Sequence, residues 1–225
     1  MKIGIIVAMD KELSLLLPLM ADVSEITMNG FAFHTGILAG HDIVTCKCGI
    51  GKVNAAVGAL TLIENFHPMM IVNTGVAGGT GATAEPARVL DVVLASEIAY
   101  HDVWCGPGTV PGEAAGCPAR FVCPLPPETR SQLNVKEGLL ASGDIFVDNP
   151  DDLRRILALY PDAKAVDMES AAIAQVCYIK NVPFVCIRVV SDTPGDGGNA
   201  AAYESFWTAA PERTFDEVEK LLGLL

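Results

Sequence analysis

Four charged residues stand where the sequence is otherwise built for burial. Glu169 opens the run ESAAIAQVC, four residues before Ile173 and on that segment's apolar side. Arg188 sits inside the apolar stretch Phe184 to Val190, and Asp192 follows at its end. Glu12 comes just beyond the first apolar stretch, in MKIGIIVAMDKE. A buried charge is costly unless it is paired and hydrogen-bonded. Carboxylates held in unlike surroundings can also divide the work of general acid and general base. Taken singly, each residue has a plainer reading. Glu12 and Glu169 could be helix-start acids favoured by the dipole, Arg188 half of a structural ion pair, and Asp192 a turn residue. On position alone Glu12 reads as a surface glutamate. The gathering of Glu169, Arg188 and Asp192 in one αβ unit is what points to a site.

The elements that must hold these residues alternate between strand and helix. Lys2 to Ala8 reads as a buried strand. Asp10 is the expected N-cap of a helix with Leu13, Leu16, Leu17 and Met20 inward and a break at Pro18. Ile26 to Thr35 and Ile43 to Lys47 read as antiparallel strands, turned at Asn29-Gly30 and Ala39-Gly40-His41. A helix is expected over Lys52 to Phe66, with Val53, Ala56, Val57, Leu60 and Ile63 inward. Met69 to Val72 is a strand running into the Gly-rich loop Asn73 to Ala82, where backbone can approach a ligand. That loop has neither a Walker sequence nor the dinucleotide fingerprint. Val89 to Ala99 and Leu139 to Val147 read as strands, and Asp151 to Tyr160 as a helix. The helix entered at Val166 to Glu169 stops at Asn181 and Pro183. Phe184 to Val190 then reads as a central parallel strand, with Asp192 at the end where open α/β sheets bind ligands. Beyond Asn199 a helical region broken by Pro211 runs to Leu225. Val103 to Pro127 is irregular, and loops that long in compact domains are usually functional.

Composition narrows the function classes. At 225 residues and 51% hydrophobic content, one α/β domain spanning 1–225 is expected. A formal charge of −12 argues against binding nucleic acid through its phosphates. No apolar run reaches membrane-span length, and the start does not read as a secretory signal. Seven cysteines without a C-x-x-C pair read as reduced, buried thiols, which suggests a cytoplasmic location. His101, Cys105, Cys117 and Cys123 match no zinc spacing, so no metal is expected.

The stretches GIIVAMDKE, GIGKVNAA, VNTGVAGG, YHD, GCPARF, SGDIFVD, VDMESAAIAQVC and VPFVCIRVVSD, in this order along nearly the whole chain, resemble the nucleoside phosphorylase/hydrolase family. They look most like its 5'-methylthioadenosine/S-adenosylhomocysteine nucleosidase branch. The resemblance implies a three-layer α/β sandwich with a twisted, partly closed mixed sheet, a homodimer, and neither metal nor organic cofactor. It implies hydrolysis of the N-glycosidic bond of 5'-substituted adenosines. Glu12 would then activate the attacking water, and Asp192 would protonate the leaving adenine. Arg188 would orient the acidic groups and the water. Glu169 and the Met168 backbone would hold the ribose hydroxyls. Phe146 would stack on the base while the Val147 main chain reads its edge, with the Ala77-Gly78 backbone close by. Met9, Ile50 and Phe206 would line the pocket for the 5' substituent.

Three places depart from the family pattern. Val76 stands where a hydroxyl residue is common, removing a polar contact. Asp167 replaces a commoner Glu and is expected to reach less far. The segment Val103 to Gly116 differs in a region that helps shape the 5' pocket. Two other readings stay open: a phosphorylase, for which Lys11 and Lys52 are the available cations, and a nucleoside binder without catalysis. The proton affinity of Asp192 is the open chemical question. Burial, Glu169 and Glu12 would raise it, and Arg188 would lower it.

Overall fold

In a computed structural model the chain is described over residues 1–195, 198–209 and 215–225. Pro211 lies outside these residues. The strands are β1 (Lys2–Val7), β2 (Ala21–Met28), β3 (Phe31–Leu38), β4 (His41–Lys47), β5 (Met70–Gly79), β6 (Val92–Tyr100), β7 (Phe121–Val122), β8 (Lys136–Ser142), β9 (Ala163–Asp167) and β10 (Phe184–Asp192). The helices are α1 (Asp10–Leu16), α2 (Lys52–Phe66), α3 (Pro127–Arg130), α4 (Pro150–Leu159), α5 (Ser170–Lys180), α6 (Asn199–Ala209) and α7 (Asp216–Gly223).

All strands belong to one mixed sheet, ordered β10-β6-β8-β9-β5-β1-β4-β3-β2, with β7 on β6. A further pairing of β10 with β5 closes five of the strands into a ring. Pairing is parallel for β1 with β4 and β5, β10 with β5, and β8 with β6 and β9. It is antiparallel for β10 with β6 and β5 with β9. The ring closes through Gly78 and Gly79 of β5 against Val166 and Ala165 of β9, and Asp192 of β10 lies in register with Gly78. Closure therefore draws the ends of β5, β9 and β10 to one place.

Alternation along β1 assigns the layers. Ile3, Ile5 and Val7 join a core with Leu16 of α1 and Val218, Leu221 and Leu222 of α7. Ile6 and Ala8 face Ala55, Ala59 and Leu62 of α2 and the small residues Ala171, Ala172 and Ala174 of α5. Gly4 fits there because a Cβ would strike Ile71 and Leu62. The expected sandwich, with a twisted and partly closed sheet, is this architecture.

Several local expectations need correction. The inward side of α2 is Ala55, Gly58, Ala59, Leu62 and Ile63, whereas Val53, Val57 and Leu60 are exposed. This helix is apolar on more than one side, so spacing alone could not pick the core face. Val166 and Asp167 close a strand rather than opening a helix, and Glu169 is the N-cap of α5. β10 is central but mixed, parallel to β5 and antiparallel to β6. Asp10 is the first residue of α1 and Met9 its N-cap, with Glu12 reaching back to that turn. Asn181 does end α5, in a left-handed conformation.

Leu62 is fully buried between α2 and the sheet. Leu62→Ala should lower the unfolding free energy by about 2–5 kcal/mol in urea titrations. A loss under about 1 kcal/mol would mean that α2 does not pack through this side.

Candidate functional site

A pocket of about 340 Å³ opens where the ring closes. Its walls include Met9, Glu12, Ile50, Ala77, Phe146, Val147, Met168, Glu169 and Asp192. Nine of the twelve residues expected from the sequence thus line one cavity. The other three are Arg188, Gly78 and Phe206. Arg188 is 1% exposed and lies behind the wall. Gly78 sits against Pro194, whose ring a Cβ would strike. Phe206 is a correction: it is buried against Val189, Val76 and Trp207, and Tyr203, one turn earlier on α6, faces the pocket instead. Both aromatics lie on an apolar helix, and the sequence does not say which faces in. Tyr203 donates to the Met9 sulfur at 3.0 Å and packs edge-on against Phe146.

Glu12 is not a surface residue. It is 1% exposed. Its Oε2 accepts from the Ala8 and Met9 amides at 2.8 and 3.0 Å, and its Oε1 from the Val76 amide at 3.0 Å. Burial pushes its carboxyl above the usual range, against the opposing pull of Arg188 and these amides. Room for this arrangement comes from Gly75 (φ +142°), where a Cβ would collide with Glu12 Oε1 and Arg188 Nη1. The missing hydroxyl at Val76 leaves its main-chain donor in place.

Arg188 binds three acceptors. Nη1 donates to the Thr74 carbonyl at 2.9 Å, and Nη2 to Asn73 Oδ1 at 2.7 Å and Asp167 Oδ2 at 2.6 Å. The shorter Asp167 therefore reaches the guanidinium. Asp167 Oδ1 accepts from the Ser170 hydroxyl at 2.8 Å, which fixes the start of α5. Burial works against the Arg188 charge, but the acids around it, Asp167 foremost, raise its proton affinity overall. Glu169 Oε2 stands 3.8 Å from Nη2, and its Oε1 accepts from the Gly51 amide at 3.0 Å. Burial, then the Asp167 charge, pushes the Glu169 carboxyl upward.

Asp192 is 3% exposed at the end of β10. Its Oδ1 accepts from the Ser191 hydroxyl at 2.7 Å, and its Oδ2 from the Asn199 amide at 3.3 Å. Burial raises its carboxyl above the ordinary range, and those two donors oppose the shift. Glu169, Glu12 and Arg188, expected to set this balance, are not the groups that do. Ser191 and Asn199 were missed because neither falls in a periodic pattern that marks it.

The remaining charged candidates have other partners. Lys11, half exposed, lies 3.6 Å from Glu204. Lys52 donates to Asp102 Oδ2 at 2.8 Å, and the same oxygen accepts from the Asp144 amide. The Tyr100-His101-Asp102 motif thereby holds the segment that carries Phe146 and Val147. Residues 103–116 do not line the pocket. His101, Cys105, Cys117 and Cys123 do not assemble: among the described residues no group of three or more His, Cys, Asp or Glu side chains could hold a metal ion. All seven thiols are free. Among the described residues no helix is long and apolar enough to cross a membrane.

Known proteins resemble this chain over its whole length. Residues 2–223 match the family described as the phosphorylase superfamily. The chain is 38% identical to the 5'-methylthioadenosine/S-adenosylhomocysteine nucleosidase of Actinobacillus succinogenes, over 100% of this chain and 98% of the relative. The nucleosidase of Neisseria meningitidis, solved in complex with methylthio-immucillin-A, superposes with a TM-score of 0.92 at 35% identity, covering 100% of this chain and 99% of the other. The nucleosidase of Colwellia psychrerythraea, solved with adenine, gives 0.90 at 37% identity, covering 100% and 96%. The closed mixed sheet, the pocket at its closure and these likenesses place the chain in the phosphorylase superfamily, as a member of its 5'-methylthioadenosine/S-adenosylhomocysteine nucleosidase family.

Proposed function

We propose that the protein hydrolyses the N-glycosidic bond of 5'-substituted adenosines, methylthioadenosine and adenosylhomocysteine among them, releasing adenine. The observation that carries this reading is one pocket with Glu12 and Asp192 on its walls, each buried, brought in by different elements and held by different donors. Breaking this bond leaves positive charge on the sugar and negative charge on the base. Glu12 takes a proton from water as the water attacks the anomeric carbon. Asp192 gives a proton to the departing adenine. The products are adenine and the free sugar, and the two carboxyls exchange protons with solvent to reset. Glu169 and the Met168 backbone hold the ribose hydroxyls, and Phe146 and the Val147 main chain take the base. Met9 and Ile50 border the 5' end. The apolar lining excludes water and strengthens the electrostatics of the charged groups.

Water rather than phosphate is the nucleophile in this reading. A phosphate needs cationic donors, and Lys11 and Lys52 are engaged by Glu204 and Asp102 outside the lining. A binder without catalysis has no use for both a buried base and a buried acid. The single continuous sheet supports one domain over the chain. Free thiols are in keeping with a cytoplasmic location.

The homodimer belongs to the same proposal. Val53, Val57 and Leu60 leave an exposed apolar stripe along α2, and the exposed Ile50 just before the helix carries it to the pocket rim, since Ile50 also lines the cavity. A second copy seated there would cover the stripe and bring its own residues to the rim. The segment 103–118, absent from the pocket of its own protomer, is our candidate for that contribution.

Two outcomes are expected. Adenine release from methylthioadenosine should be independent of phosphate and yield free methylthioribose in chromatography. Methylthioribose 1-phosphate as the main product would make the protein a phosphorylase. Sedimentation equilibrium should give a dimer for the native chain and mostly monomer for Val57→Glu. A native monomer at all concentrations would remove the dimer.

A further inference from the structure

Asn199 is the first residue of α6 and is 3% exposed. Its amide nitrogen donates to the Val147 carbonyl at 3.0 Å and to Asp192 Oδ2 at 3.3 Å. It is not one of the residues lining the pocket, so it stands behind the wall formed by the two groups it holds. Those two groups have different origins. Val147 belongs to the irregular segment after β8, and Asp192 ends β10. In the proposed reaction the first reads the base and the second protonates it.

The chemistry of the residue suits this place. Both neighbours present acceptors, and a primary amide nitrogen carries two hydrogens on one atom. Serine has a single hydrogen to give. Aspartate of the same shape has none when ionised. Glutamine is one methylene longer. Asn199 is also the point at which α6 is tied to the acid. Farther along, the helix is fastened by Tyr203 to Met9, by Glu204 to Lys11 and by Phe206 to Val189. The seat of α6 and the geometry of the acid are thus one mechanical unit.

We infer that Asn199 is a positioning residue for the reaction, joining the proton donor and the base-reading carbonyl into one rigid edge that grips the purine. The inference rests on the proposed assignment of Asp192 and Val147. Through Oδ2, Asn199 also favours the charged form of Asp192. Loss of this donor lets the proton affinity of Asp192 rise. A general acid works only while protonated, so the alkaline limb of the rate profile should then move to higher pH.

The test compares Asn199→Ala and the isosteric Asn199→Asp with the native chain on two substrates. One is methylthioadenosine. The other is the nitrophenyl O-glycoside of 5-methylthioribose, whose nitrophenolate departs without a proton and offers no purine edge. Turnover of methylthioadenosine should fall roughly tenfold to a hundredfold, the range of one hydrogen bond to a charged group. Turnover of the nitrophenyl substrate should stay within about twofold. The alkaline limb should rise in Asn199→Ala, and the carboxyl carbon signal of Asp192 should titrate at higher pH in carbon-13 NMR. Equal losses on both substrates, or an unmoved Asp192 titration, would overturn the inference. If Asn199→Ala fails to fold, Asn199→Asp keeps the shape and carries the substrate comparison. The NMR titration needs no turnover. A native chain that releases no adenine would therefore count against the proposed function, while an unshifted titration counts against Asn199.

Discussion

The structure turns on a guanidinium with almost no access to water. Arg188 is 1% exposed, in the middle of a strand buried along its whole length. Burying such a charge costs several kcal/mol, and the surrounding geometry has to offset it. Asp167, Asn73 and the Thr74 carbonyl do so from three directions. Glu169, 3.8 Å away, is held less directly. At that distance and an effective dielectric of about 20, the attraction is about 4 kcal/mol, the same order as the penalty for burying a carboxylate. Neither effect overwhelms the other. The upward shift of both Glu169 and Glu12 says that burial prevails while Arg188 limits it. A change at Gly75 would disturb every partner at once, because any side chain there displaces Glu12 and Arg188 together.

This frame gives Glu12 and Asp192, the two carboxyls proposed to react, unlike settings. Glu12 receives three main-chain amides and the field of Arg188, all of which favour its charged form. Asp192 receives a hydroxyl and a side-chain amide, and Arg188 is not among the groups that shift it. The better-compensated carboxylate suits a base and the less-compensated one an acid. β5 joins the two settings: β1, which leads to Glu12, pairs with it on one side, and β10, which ends at Asp192, pairs with it where the ring closes.

Much of this was legible in the sequence. Apolar runs marked β1, β5 and β10, and the charges inside or beside them marked the site. What stayed hidden has physical causes. β9 is short and carries Lys164, so it lacks a strand's usual pattern, and its end reads in the sequence as a helix start. The core face of α2 is not legible from spacing because apolar residues also cover its exposed side. Phe206 and Tyr203 lie one turn apart on α6, and only tertiary packing decides which one reaches the cavity. Asn73, Gly75, Ser191 and Asn199 act through contacts set by the fold. A local reading offers only the Gly-rich stretch that contains Asn73 and Gly75 and the adjacency of Ser191 to Asp192.

In the proposed reaction Glu12, buried and held by main-chain amides, is the base that activates water rather than a cap for α1. Single-turnover kinetics of Glu12→Gln with methylthioadenosine, beside equilibrium binding of the same nucleoside, address it most directly. The amide keeps the shape of the side chain but cannot take a proton. The chemical step should fall by roughly 10²–10⁴-fold, the scale of general acid–base catalysis, with binding retained. A folded variant that turns over at a near-normal rate would contradict this role and leave Glu12 with a structural part alone.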